Sequence, residues 1–216
     1  MFTGIVEGTG MVRNRTETED GLRLRIGVGT GAGSDGETDS NPTLDDLHHG
    51  QSIRVSGVCL TVERYGTADG DATDDAWFDV FLASETVAKT YLGELREGDT
   101  VNVERAMPAD GRFDGHVVQG HVDTVADVTA VERVGEDWRF TFSIPEGHDR
   151  YLVDKGSVTL DGISLTVAEK RDDAFDVAII PTTYELTTLS EKSVGDPVHL
   201  EVDVIAKYVE NMTEGY

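Results

Sequence analysis

The stretch GVCLTV, Gly57 to Val62, is written a second time as GISLTV, Gly162 to Val167, with Ser164 standing where the first copy has Cys59. Each phrase alternates apolar and polar residues with period two, as a half-buried strand does. Working outward, Phe78 placed on Phe175 is an offset of 97, and FDVFLASETVAKTYLGELREGDTVNVERA then lies on FDVAIIPTTYELTTLSEKSVGDPVHLEVD without a gap. Eleven of these 29 positions are identical, among them Thr86, Thr90, Gly98, Asp99 and Glu104, where unrelated segments would share about two. Upstream the offset grows to 105 at Gly57 and Gly162, and to 116 at Gly4 and Gly120. A growing offset means that the first copy carries extra loop residues. They are GTGAGSDGETDSNPTLDD (29–46) and TADGDATDD (67–75), turn-forming, acidic and without periodicity.

The chain is therefore a tandem duplication with about 100 residues per copy, enough for a small domain. The boundaries fall at residues 1–108, 109–203 and a tail 204–216, with the polar run MPADGRFDG (107–115) as the junction. SIRVSGVCLTVER, WFDVFL and TVNVER read as strands, and SETVAKTYLGEL and PTTYELTTLSEK as short helices. Short strands separated by turns point to a small closed antiparallel barrel, which leaves no exposed sheet edge. In the tail, Val204, Ile205, Tyr208, Val209 and Met212 fall on one helical face; this stripe either docks on its own domain or pairs with the same helix in other subunits.

Among 216 residues there are 42 acids and 18 bases, a net charge of −24, and only five of the bases are lysines. Such a chain is repelled by nucleic acid and by anionic membranes. Charge spread along the whole chain argues for a surface adapted to high salt, where screening reduces self-repulsion, more than for a site that binds a basic partner. One cysteine excludes an intramolecular disulfide and a cysteine metal cluster. MFTGIVEGTG lacks the basic start and apolar run of a signal peptide, and nothing approaches a membrane span, so a soluble, cytoplasmic protein is expected.

MFTGIVEGTG, GVCLTV, VNVERAM, DGHVVQGHVD, DGISLTV, IIPTTYELTTL and LEVDVIAKYVE, in this order and repeated in register, resemble the riboflavin synthases of the duplicated-barrel type over nearly the whole chain. The resemblance implies a mainly β fold of two homologous six-stranded Greek-key barrels in tandem, plus a short C-terminal helix. It implies a homotrimer without metal or cofactor. Two molecules of 6,7-dimethyl-8-ribityllumazine would meet at a subunit interface, and one would give a four-carbon unit to the other.

Carried over by resemblance, a first pocket takes Gly4, Ile5 and Val6, then Cys59, Leu60 and Thr61, then Phe81, Leu82, Ala83, Ser84, Glu85 and Thr86. A second takes Gly120, His121 and Val122, then Lys155, then Ser164, Leu165 and Thr166, then Ile179, Ile180, Pro181, Thr182 and Thr183. These types suit the ligand. Strand-end backbone groups read ring carbonyls and nitrogens, an apolar wall from Ile5, Val6, Leu60 or Ile180 sandwiches the ring, and Thr, Ser, Glu85 and His121 meet the ribityl hydroxyls. Thr182 stands where bacterial relatives often carry Glu.

Eight residues are candidates for chemistry. Cys59 is the strongest nucleophile in the chain, although a thiol with an ordinary pKa of about 8.5 is mostly protonated at neutral pH, and a lone cysteine is commonly a small core residue. Ser164 replaces it in the second copy. His116 and His121, five apart in GHVVQGH, do not have chelating spacing; either can move a proton near neutral pH. Lys155 offers a cation to a ring carbonyl. Phe2, Ser52 and Asp203 complete the set, Phe2 also as an anchor of the first strand and Asp203 also as a helix N-cap. Three rivals remain: a non-catalytic lumazine- or flavin-binding carrier on the same barrels, a flavin-dependent reductase, whose Arg-x-Tyr-Ser/Thr phosphate motif is absent, and a salt-adapted interaction module, which composition alone would suggest.

Overall fold

The computed structural model describes residues 1–28, 46–66 and 76–213, and two closed six-stranded antiparallel barrels account for most of them. The first barrel is built from β1 (Gly8–Thr18), β2 (Gly21–Val28), β3 (Ser52–Val55), β4 (Val58–Gly66), β5 (Ala76–Ala83) and β6 (Thr100–Arg105). The second uses β7 (Thr124–Val134), β8 (Asp137–Ser143), β9 (Ser157–Leu160), β10 (Ile163–Lys170), β11 (Ala174–Ile179) and β12 (Pro197–Val202). Around the first the order is β1-β2-β5-β4-β3-β6, and the second closes in the same order six strands later. The acidic segments read as loops lie outside the described residues, apart from Asp46, which pairs with Arg105 at 2.5 Å.

The repeat extends to irregularities. Register slips between Val62 and Arg64 in β4 and between Val167 and Glu169 in β10; it slips again between Val12 and Asn14 in β1 and between Val128 and Ala130 in β7. Bulges at matched positions bend the strands enough to close each sheet. Alternate residues then point inward, with Leu24, Ile26, Phe78 and Val80 in one core and Phe140, Phe142, Phe175 and Val177 in the other, all fully buried.

The two helical stretches form, each in two pieces. α1 (Ser84–Lys89) ends where the Thr90 hydroxyl donates back to the Thr86 carbonyl at 2.7 Å, and a 3-10 turn follows over Tyr91–Glu94. α2 (Pro181–Leu186) ends where Thr187 does the same to Thr183 at 2.7 Å, before a turn over Thr188–Glu191. A threonine that satisfies the carbonyl of the preceding turn competes with helix continuation, so one expected helix becomes a kinked pair in both copies. α3 (Val204–Thr213) follows the second barrel. Its polar side is tethered by Lys207 to Asp123 at 2.7 Å and by Arg150 to Glu210 at 2.5 Å. Ile205, Tyr208, Val209 and Met212 are 55–72% exposed, so the apolar stripe does not dock on its own domain.

Among the described residues no helix is long and apolar enough to cross a membrane.

Candidate active site

The two barrels meet through the tips of corresponding hairpins. β3 and β4 are joined at Ser56 (φ 41°) and Gly57 (φ 92°), β9 and β10 at Asp161 (φ 45°) and Gly162 (φ 86°). Two positive φ values in a two-residue loop suit the right-handed twist of the strands. A Cβ on either glycine would lie 2.9 Å from the other glycine's nitrogen, so only hydrogen fits there.

Around this contact the hydrogen bonds obey an approximate two-fold relation. Asn102 Nδ2 donates to the Asp161 carbonyl at 2.9 Å, and Asn102 Oδ1 accepts from the Thr188 amide at 2.8 Å. Its counterpart His199 donates from Nδ1 to the Ser56 carbonyl at 2.6 Å, and its Nε2 accepts from the Tyr91 amide at 3.0 Å. The Tyr91 ring stacks on His199 with centroids 3.8 Å apart, its hydroxyl donates to Asp161 at 2.8 Å, and Lys192 reaches the other Asp161 oxygen at 3.1 Å. Burial holds His199 below the ordinary histidine pKa, against the pull of Asp161, and pushes the Tyr91 phenol well up. Both rings are neutral at physiological pH.

Two extended straps run across the junction. Residues 2–6 and 118–122 pair in the middle, Phe2 with Val118, by bonds of 2.9 and 3.1 Å. The strap that begins the first copy then lies on the second barrel, where the Gly4 carbonyl accepts from the Ser164 amide at 2.7 Å. The strap that begins the second copy lies on the first barrel, where the Gly120 carbonyl accepts from the Cys59 amide at 2.8 Å. A Cβ on Gly4 would sit 2.5 Å from Ser164 Cβ, and one on Gly120 2.6 Å from Cys59 Cβ. Val6 packs against the second core and Val122 against the first.

This crossing corrects the grouping expected from sequence. Gly4, Ile5 and Val6 share a site with Ser164, Leu165 and Thr166, whereas Gly120, His121 and Val122 share one with Cys59, Leu60 and Thr61. The grouping carried over by resemblance kept each strap with its own repeat, and the repeat does not distinguish the two arrangements, because exchanging the straps leaves every offset unchanged.

Within the first site burial pushes the Cys59 thiol up, only partly offset by the neighbouring Ser52 hydroxyl and the charge of Arg54. The thiol is accordingly protonated at neutral pH. His121 and Thr61 are exposed, and Leu60 is 7% exposed with its side chain in the core instead of forming a wall. Leu82 is fully buried in the core, whereas Phe81 and Thr86 are half-buried and Ala83, Ser84 and Glu85 exposed; Glu85 pairs with Lys89 at 2.9 Å. Beside Ser84 and Val87 opens a cavity of about 280 Å³, lined also by Arg15, Gly21 and Leu22.

In the second site His116 bridges two hydroxyls, Nδ1 to Ser164 at 2.7 Å and Nε2 to Thr159 at 3.1 Å. Burial holds it below the usual histidine range although the charge of Asp203 pulls it upward. Asp203 also caps α3, accepting from the Ile205 amide at 2.9 Å. Lys155 is exposed, with backbone at φ 64° and Nζ 3.3 Å from the Ala168 carbonyl. Ile180 (55% exposed) and Ile5 (44%) present apolar surface; Thr182 is exposed, Pro181 and Thr183 are half-buried, and Ile179 is a core residue at 1%. Phe2 is 0% exposed, between Val118 and the Arg54 guanidinium, so it anchors the straps and offers no open ring face.

Sequence reasoning missed the groups beneath the straps. Glu104 accepts the Thr3 and Gly4 amides on one oxygen at 2.9 and 3.1 Å; Glu201 accepts Gln119 and Gly120 at 2.8 and 3.0 Å. Arg54, 1% exposed, donates to Glu104 and to the Gly162 carbonyl. The signal was present: Glu104 recurs as Glu201, on the strand face opposite the core residues Val103 and Leu200.

A profile of the lumazine-binding domain family matches twice, over residues 3–106 and 119–203. A riboflavin synthase of Mycobacterium tuberculosis is 45% identical over 98% of both chains. The chain belongs to the riboflavin synthase family. Other members include the riboflavin synthase of Schizosaccharomyces pombe, 38% identical over 100% of this chain and 95% of that one, and that of Bacillus subtilis, 38% over 97% and 88%. Among solved structures, LumP complexed with riboflavin superposes with a TM-score of 0.75, covering 94% of this chain and 100% of the other at 24% identity; that likeness speaks for the fold.

Proposed function

We propose that this riboflavin synthase family member converts two molecules of 6,7-dimethyl-8-ribityllumazine into one riboflavin and one 5-amino-6-ribitylaminouracil. The observation that carries the reading is the pair of crossed sites, alike in frame and unlike at Cys59 and Ser164. One substrate used twice needs two related pockets, and unequal fates for identical molecules need unequal residues. Atoms balance between two lumazines and the two products, so neither an oxidant nor a second substrate enters the equation. Holding two rings in reacting geometry can contribute up to about 7–11 kcal/mol of the barrier reduction.

In the first pocket Gly120, His121 and the exposed ends of β4 and β5 line one lumazine, with Cys59 and Ser52 at its floor. The protonated thiol serves as contact and weak donor, and becomes a nucleophile only when a ligand or base removes its proton. In the second, Gly4, Ile5, Ser164, Thr166 and the start of α2 line the other, with Lys155 near the rim. Neutral His116, hydrogen-bonded to Ser164, is the group placed to exchange a proton through that hydroxyl. The exposed stripe of α3 supports a homotrimer, with each complete site formed between the first barrel of one subunit and the second of its neighbour. A net charge of −24 supports function in concentrated salt.

The test is incubation of the purified protein with 6,7-dimethyl-8-ribityllumazine in molar potassium chloride, with Cys59→Ser alongside. Riboflavin equal to half the lumazine consumed is expected, with partial activity retained in the variant. Lumazine that binds and persists would make the protein a carrier.

A further inference from the structure

Two buried carboxylates have no part in the pockets yet hold what covers them. Glu104 is 4% exposed and stands on β6 of the first barrel, but its two amide donors, Thr3 and Gly4, belong to the strap that lies on Ser164 of the second. Glu201, also 4% exposed, stands on β12 of the second barrel and grips Gln119 and Gly120, the strap on Cys59 of the first. In each strap the second bonded amide belongs to a glycine with φ 80°, Gly4 or Gly120, where the backbone turns over the opposite barrel. Burying an anion is costly, and both carboxylates stand on the outer face of their strands, opposite the core residues Val103 and Leu200 and beneath the straps. Both copies accept that cost at the same place, and Arg54 is the cation beside them, bonded to Glu104 and close enough to act on Glu201.

Resting on the riboflavin synthase reading, we propose that Glu104 and Glu201 are positioning residues for substrate, each setting the roof of the pocket in the opposite barrel. The carboxylate fixes the strap glycine, and the glycine fixes the distance between the strap and the Cys59 or Ser164 strand. Residues 4–6 and 120–122 are thereby held at ligand distance. The assignment makes a crossed expectation: damage at Glu201 is felt at Cys59, far along the chain, and damage at Glu104 is not.

Cys59 is the only cysteine, so its alkylation reports on the first pocket alone. Iodoacetamide labelling of the folded protein in molar potassium chloride is compared for wild type, Glu104→Gln and Glu201→Gln. The Glu201 charge also raises the Cys59 pKa, so rates are compared per thiolate from their pH dependence; on that scale Glu201→Gln should label about tenfold faster or more, as expected when a hydrogen bond to a charged group no longer holds the strap down. Glu104→Gln should label within about twofold of wild type, although both variants should raise KM for lumazine. Glu201→Asp, which keeps the charge and withdraws it by one methylene, should fall between; it takes over the comparison should Glu201→Gln not fold. General loosening would accelerate labelling equally in both variants. Equal rates in the two, or no change with either substitution at position 201, overturns the assignment. A wild type that makes no riboflavin sinks the enzymatic reading and leaves the labelling comparison to decide this one.

Discussion

Gly162→Ala probes the contact that fixes the two barrels against each other. The new methyl would lie 2.9 Å from the Gly57 nitrogen, 3.2 Å from its Cα and 3.3 Å from Arg54 Nε, with rigid backbone on the crowded side. Gly195→Ala is the matched control, with φ 96° against 86° and nothing within 4 Å of its Cβ. Both substitutions carry the left-handed strain of about 1–2 kcal/mol, partly offset by a less flexible unfolded chain, for a net cost of about 1 kcal/mol. Only Gly162→Ala must also part the hairpin tips, at about 1–3 kcal/mol for overpacking. Parting them weakens the bond from Arg54 to the Gly162 carbonyl and that from Asn102 to Asp161, together about 1–3 kcal/mol more. The expected totals are about 3–7 against about 1 kcal/mol. At roughly 2–4 °C per kcal/mol for a chain of this size, Tm falls by about 6–28 °C in one variant and about 2–4 °C in the other. Thermal unfolding followed by circular dichroism at one fixed potassium chloride concentration gives the comparison. If the two variants melt within about 2 °C of each other, the hairpin tips do not bear on one another and the account of the junction is wrong.

His199 has a folded pKa below its unfolded value of about 6.5, so its contribution is present above that pH and lost as pH falls, by up to about 1.4 kcal/mol per pH unit. His199→Asn supplies the residue that does the same work at Asn102, and should flatten the stability curve between about pH 6.5 and 5. The groups facing that ring (Tyr91, Asp161 and Lys192) stay in place, and Glu104 and Glu201, raised by burial, oppose the trend equally in both proteins. Parallel denaturation curves for the two would refute it. Tyr208→Asp, at a side chain 68% exposed on α3, should reduce the mass in light scattering from three chains to one and abolish turnover, with a change in the unfolding free energy of the barrels below about 0.5 kcal/mol; an unchanged mass would remove the helix from the assembly.

The barrels were legible because duplication prints the same strand twice, and Thr86, Thr90, Gly98 and Asp99 recur where a helix or turn needs them. The hairpin tip was not: SIRVSGVCLTVER reads as one alternating run, and the structure breaks it at Ser56–Gly57 into β3 and β4, where two positive φ values turn the chain back. Strap exchange was not legible: a segment of five residues carries no mark of which barrel it rests on when both offer the same strand edge. Arg54, in a strand that alternates regularly, reads as an outward polar residue, and only the second barrel's approach buries it. The Tyr91–Asp161–His199–Lys192 cluster escaped notice because its members do not recur; their counterparts are Thr188, Ser56, Asn102 and Leu95. Cys59 and Ser164 were found by the opposite logic, a single change inside a phrase otherwise kept.

That contrast separates frame from chemistry. Pairs that stayed alike after duplication, Gly57 with Gly162, Gly4 with Gly120 and Glu104 with Glu201, make backbone contacts whose geometry both halves require. Those that diverged bring different functional groups to the two sites. Arg54 puts a buried guanidinium under the Cys59 strand, whereas its counterpart Thr159 gives a hydroxyl to His116 beside Ser164. A reaction between two identical molecules cannot take its direction from the substrates. It takes it from the protein, and a cation beneath one pocket with a neutral imidazole beside the other is the difference this chain supplies. On the proposed reading, one ring would lie over the buried Arg54–Glu104 pair and the other beside a hydroxyl and imidazole through which a proton can be exchanged.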